Sequence, residues 1–264
     1  MTAFVFFTVV LCLAIAHFYV PPSPSYRIFP DLSLSTATIA GIVATNVLVT
    51  IGWRILPLWP LLTRYFMNVP AYPRAVQSIL NVFSHVQYEH LLANMMTLCL
   101  VGPACCELVG RGTFMSTYIS AGVVGSIFSL YWANLGKGSI LAHSVGASGA
   151  IWGISALYCL LTDQERIKIP FLKDHEVAFW PKMLFGAFVV MEIFSAWKGT
   201  RTGNKAMDHA SHIGGMFVGM STAGYLRATG FHERRANAEA GKTVDAGAMV
   251  ARGVAEVKQS LTKT

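Results

Sequence analysis

The sequence predicts an all-α fold, a polytopic helical bundle in a membrane, and three observations predict it. Apolar residues fill 54% of the 264 positions, charged residues only 12%, and the mean hydropathy is +0.51, a balance that no ordinary soluble domain sustains along its whole length. The apolar residues fall into seven runs, at residues 3–20, 37–57, 90–109, 115–135, 147–162, 177–197 and 210–228. The charges gather between those runs and in a polar stretch after Tyr225. The net charge of +7 is therefore juxtamembrane, which makes the lipid bilayer, and not a nucleic acid, the expected partner. Residues 1–36 are expected to form an N-terminal transmembrane helix and linker, 37–228 a six-helix core, and 229–264 a polar tail, either a frayed helix or disordered.

The first run follows Met1-Thr2-Ala3, which supplies no basic charge, so it reads as a retained helix and not as a signal peptide. Pro21-Pro22-Ser23-Pro24 ends it, since proline cannot continue a helix. After the second run, residues 57–88 are too apolar for a solvated linker; with Arg64, Arg74 and several aromatics, they are expected to lie along the membrane interface. Residues 115–135 carry no ionisable side chain and read as scaffold, residues 162–176 as a charged loop. In the 177–197 run Glu192 stands out, and the sequence assigns it no role. Cys12, Cys99, Cys105, Cys106 and Cys159 lack CxxC spacing and read as reduced packing residues.

Chemistry concentrates at the starts of three runs. Gly146-Ala147-Ser148-Gly149 opens a run of about 16 residues, too short for a bilayer that needs roughly 20, so Ser148 is expected at a helix N-terminus below the membrane surface. His90 and Asn94, four apart, project from one helix face. They are either donors for a reaction or a polar clasp between helices. The last run opens with Asp208-His209-Ala210-Ser211-His212. Gly149 and Gly153 on one helix, and Gly215 and Gly219 on the other, form small-xxx-small pairs that permit close backbone approach, which would bring Ser148 to His212. Because spans alternate in direction, the third, fifth and seventh are parallel, and His90, Asn94, Ser148 and His212 share one membrane face.

The chemistry so assembled is a serine activated by a histidine base, with His90, Asn94 and the Ser148 N–H available to an oxyanion. Asp208 lies one turn before His212, but the sequence offers no clear acidic third member, so a Ser–His dyad is the expectation. Trp152, four residues after Ser148, is expected either to stack on His212 or simply to fill space. His209 and His212 share a face but no third metal ligand is evident, and neither metal nor cofactor is called for. The chain lacks His-Glu-x-x-His, paired intraspan aspartates and an internal repeat, which argues against a zinc protease, an aspartyl protease and a transporter.

With Gly146-Ala147-Ser148-Gly149, His90-x-x-x-Asn94 and His212-Ile213-Gly214-Gly215 with Gly219 in order, residues 37–228 resemble the rhomboid family of intramembrane serine proteases. The resemblance implies a six-helix rhomboid core plus one extra N-terminal transmembrane helix. It makes Ser148 the nucleophile, His212 its general base and acid, His90 and Asn94 the oxyanion donors, and Trp152 the histidine-stacking residue. It implies a serine endopeptidase that cuts single-pass transmembrane proteins through an acyl-enzyme. The alternative is a catalytically silent relative that only binds transmembrane segments; such proteins usually lose the serine or the histidine, and both are present here. Asn46-Val47-Leu48-Val49, Thr63-Arg64-Tyr65-Phe66 and Asp208-His209-Ala210-Ser211-His212 are most similar to the mitochondrial presenilin-associated rhomboid-like branch, which implies the mitochondrial inner membrane. No arginine-rich presequence is visible at Met1, so either the chain is a trimmed product or gene-model start, or it belongs in another membrane.

Overall fold

The computed structural model describes residues 1–137, 139–141, 143–164, 167–168, 178–202, 208–233 and 235–237. Residues 203–207 lie outside them, as do most of the charged loop and of the polar tail. Contacts divide the chain into Met1–Ala223 and Gly224–Thr264. The helices are α1 (Thr2–Phe18), α2 (Leu34–Gly52), α3 (Trp59–Tyr65), α4 (Gln77–Leu80), α5 (Tyr88–Val109), α6 (Arg111–Asn134), α7 (Ser148–Leu161), α8 (Pro181–Thr202) and α9 (His209–Ala228). Among the described residues, each of the seven apolar runs contains a helix. By length and composition α2, α5 and α6 can cross a membrane, and α1 and α7 are apolar but shorter.

The boundaries that differ from expectation have local causes. Helix α6 starts at Arg111, not 115, because Gly110 alone joins it to α5, with a φ of +81° that a side-chain-bearing residue rarely adopts. Pro181 opens α8, where its missing N–H costs nothing, so the helix begins after 177 and runs on through Lys198. Just before it, two two-residue strands, β1 (Ile167–Lys168) and β2 (Ala178–Phe179), pair antiparallel, so residues 167–168 of the charged loop are strand. Helix α2 begins at Leu34 because the Ser33 hydroxyl caps it, accepting from the Thr36 N–H at 3.1 Å.

Helix α6 is the most enclosed candidate span because α1 and α7 both lie against it. Val5 of α1 packs with Val123, Ile127 and Leu130, and the Thr2 and Tyr131 hydroxyls sit 3.1 Å apart. At the other end Gly112 meets Tyr19 and the Ala16 carbonyl, so α1 runs antiparallel to α6. Phe114, Tyr118, Leu98, Ile154, Leu157 and Leu161, all fully buried, form the core around α5, α6 and α7.

The 57–88 connection is more than an interfacial strip. Trp59, Leu61 and Tyr72 are exposed as expected, but Gln77, Ser78, Asn81, Ser84 and His85 are buried. Its backbone clamps the loop that leads into α7. Asn68 and Ser144 exchange N–H···O bonds of 3.0 and 2.8 Å, the Gly146 N–H donates to the Asn81 carbonyl at 3.0 Å, and the Ala71 N–H to Ile140 at 2.8 Å.

Candidate active site

Ser148 is the first residue of α7, directly after this clamped loop. At Gly146 the φ is +135°, and a Cβ there would come within 2.7 Å of the His90 ring. Both the turn and the neighbouring ring therefore require glycine. The first N–H groups of α7 have no carbonyl behind them in the helix, which leaves them free for an oxygen from outside.

Glycine contacts fix the neighbouring helix. A Cβ on Gly215 would strike the Gly149 carbonyl oxygen, and one on Gly219 the Gly153 carbonyl oxygen. A Cβ on Gly153 would sit 2.9 Å from the Gly215 oxygen. Pairs 149/215 and 153/219 advance together, so α7 and α9 run parallel at backbone contact. One turn before Gly215, His212 Nε2 lies 2.9 Å from Ser148 Oγ, with His212 only 4% exposed. Helix α5 is parallel too, for His90 adjoins Gly146 and the Cys105 thiol lies 3.8 Å from the Ile154 carbonyl. The structure thus draws His90, Ser148 and His212 to one end of three parallel helices.

The remaining predicted residues occupy less simple positions. Asn94 is buried, but its Nδ2 donates to the His90 carbonyl at 2.9 Å, a bond back to its own helix and not toward Ser148. Trp152 adjoins His212 at 5.8 Å between ring centroids, tilted by 42° instead of lying flat, and meets Phe188 edge-on at 5.3 Å. Asp208 is the N-cap of α9, its Oδ1 accepting from the Ser211 N–H at 3.1 Å.

Two residues that the sequence left without a role stand at the site. Glu192 of α8 is 3% exposed and places one carboxylate oxygen 2.6 Å from His209 Nδ1 and the other 3.1 Å from His212 Nδ1. The second approach is off the Nδ1–H direction, so that nitrogen has the carboxylate's charge beside it without a linear hydrogen bond. A lone carboxylate in an apolar run was the available signal, but the sequence does not tell which helix faces it. His85, wholly buried, accepts from the Ala147 N–H through Nε2 at 3.4 Å and lies 5.1 Å, ring to ring, from His90. Burial first, and the nearby His90 second, push its pKa down to about 3.

Glu192 also supplies the third potential metal ligand missing from the sequence reading, since donor atoms of Glu192, His209 and His212 lie within 4.8 Å of one another. Their pairwise contacts of 2.6 and 3.1 Å are tighter than the separation of about 3.3 Å between two ligands of one tetrahedral zinc. Of the two histidines, His209 is hydrogen-bonded to the carboxylate, while His212 Nδ1 lies beside it.

A multi-helix bundle with apolar helices long enough to cross a membrane, and a serine at a helix start bonded to a histidine on a glycine-packed neighbour, defines a polytopic membrane helical bundle. The Rhomboid domain matches residues 73–229, and the chain belongs to the rhomboid family. It is 34% identical over 193 residues to the human presenilin-associated rhomboid-like protein, mitochondrial, covering 72% of this chain and 48% of that protein. Rhomboid protein 1, mitochondrial, of Saccharomyces cerevisiae is 26% identical, covering 79% and 57%. Rhomboid protease GluP of Bacillus subtilis is 30% identical, covering 54% and 24%. The chain spans about half the length of the mitochondrial relatives it matches. These similarities and the apolar helices make it a multi-pass integral membrane protein of mitochondria.

Proposed function

We propose that the chain is a rhomboid serine endopeptidase of the mitochondrial inner membrane, cutting single-pass transmembrane proteins, with residues 37–228 as the protease core. The observation that carries this reading is the 2.9 Å contact between His212 Nε2 and Ser148 Oγ at the start of α7. Ser148 Oγ attacks the scissile carbonyl carbon while His212 Nε2 takes its proton. The carbonyl oxygen becomes an oxyanion beside the free N–H groups of α7, with His90 and Asn94 turning toward it from α5. Collapse breaks the C–N bond, His212 protonates the leaving amine, and the acyl group stays on Ser148. Water, deprotonated by His212, then releases the acid and restores the serine.

A substrate helix must unwind before this begins, because its amides are hydrogen-bonded and covered; small or helix-breaking residues are expected at the cut. The test incubates purified protein with a fluorogenic transmembrane substrate. Wild type is expected to turn over, and Ser148→Ala and His212→Ala to lose at least about a thousandfold in kcat. Equal turnover in all three sinks the proposal. Fluorophosphonate labelling of the wild type as weak as that of Ser148→Ala would point instead to a silent module that binds transmembrane segments.

A further inference from the structure

A carboxylate within a membrane bundle is costly unless partnered, so its partners indicate what it does. Along α8, Met191, Ile193 and Phe194 are 50–56% exposed while Glu192 between them is 3% exposed, turned inward to the site. Its oxygens divide between two histidines, His209 Nδ1 at 2.6 Å and His212 Nδ1 at 3.1 Å. His212 is consequently flanked on both ring nitrogens, by Ser148 Oγ at Nε2 and by the carboxylate at Nδ1. Among the described residues no other acid is placed in this way, since Asp208 caps α9.

Resting on the protease reading of Ser148 and His212, we infer that Glu192 is a positioning residue for His212, extending the dyad to a Ser148–His212–Glu192 chain in which His209 anchors the carboxylate. A carboxylate beside Nδ1 keeps the proton on that nitrogen and leaves the Nε2 lone pair facing the serine. When His212 takes the Ser148 proton at Nε2, the resulting imidazolium faces a negative charge already in place. His209, more exposed than the other two, holds the second oxygen and so fixes the plane of the carboxylate.

The experiment compares the purified full chain with Glu192→Gln, Glu192→Asp and Glu192→Leu, each also in the His212→Ala background. Expected is a fall in kcat of about 10- to 100-fold for Gln, smaller than for an in-line triad acid, with KM held within about twofold and partial recovery for Asp. In the His212→Ala background the Gln change is expected to have no further effect, whereas a merely structural Glu192 would lower activity and melting temperature in both backgrounds. The ¹⁵N shifts of His212 in histidine-labelled protein give a readout apart from turnover: the Nδ1–H tautomer in wild type, a tautomer mixture in Glu192→Leu. Unchanged kcat for Gln and Leu in an active wild type overturns the inference while the protease reading stands. If wild type and Ser148→Ala turn over equally, the protease reading fails, and an unchanged His212 tautomer in Glu192→Leu then overturns the positioning claim as well.

Discussion

Helix α7 meets α9 and α5 in different ways, although both bring candidate site residues. Against α9 the contact is backbone on backbone, with the Gly149 and Gly153 carbonyl oxygens seated where Gly215 and Gly219 have no side chain. Against α5 it is made by side chains, the His90 ring over Gly146 and the Cys105 thiol near the Ile154 carbonyl. Main chain in a helix has no rotamers to choose, so the α9 seam sets the Ser148–His212 distance rigidly. The α5 side chains can turn, and Asn94 rests bonded to its own helix. In the proposed mechanism, therefore, Ser148 and His212 are assembled in advance, while His90 and Asn94 complete the site when substrate arrives.

The largest expected effect comes from breaking the α9 seam. Gly215→Ala drives a Cβ into the Gly149 carbonyl, which must shift, and overpacking of this kind costs about 1–3 kcal/mol. Thermal unfolding in detergent should show that loss together with the disappearance of substrate cleavage. Gly186→Ala on α8, where a Cβ would meet nothing, should leave stability within about 0.5 kcal/mol. If Gly215→Ala matched Gly186→Ala, the seam would not be what holds the pair.

A smaller effect should follow from removing the α5 donors. His90→Ala and Asn94→Ala are each expected to lower kcat by about a hundredfold, the lower end for an oxyanion donor, because Asn94 is bonded to its own helix at rest. KM and melting temperature should move little for Asn94→Ala, whose one side-chain bond is to its own helix. A kcat within threefold of wild type would return His90 and Asn94 to the role of a polar clasp.

What the sequence revealed and what it hid divide along the same two seams. Ser148, His212 and the glycine spacing were readable because a four-residue interval on a helix fixes a face, and alternating span direction fixes which ends meet. Glu192 was visible as an anomaly but not as a neighbour of His212, since no interval within α8 encodes its rotation toward α9. The buried row of Gln77, Asn81 and His85 was hidden because short irregular helices carry no hydrophobic period, so 57–88 read only as an interfacial strip. The third potential metal ligand was hidden for the same reason, since it comes from a different helix than His209 and His212.

His85 offers the finest test, because it supports α7 from the loop side, away from the α9 seam. In the folded chain its pKa is about 3, against 6.5 for a free histidine, so between those values the unfolded chain binds a proton that the folded chain refuses. Its contribution to stability is complete above pH 6.5 and is lost as the pH falls toward 3, at up to about 1.4 kcal/mol per pH unit. Protonation of Nε2 would also strand the Ala147 N–H that donates to it, loosening the loop directly before Ser148. Melting temperatures of wild type should therefore drop between pH 6.5 and 4.5, a range over which His85 of the folded chain stays neutral. His85→Asn, less stable at pH 7.5 by about 1 kcal/mol for the lost bond, should show a shallower fall. Parallel curves for the two proteins would mean that His85 is not the group through which acid destabilises the fold.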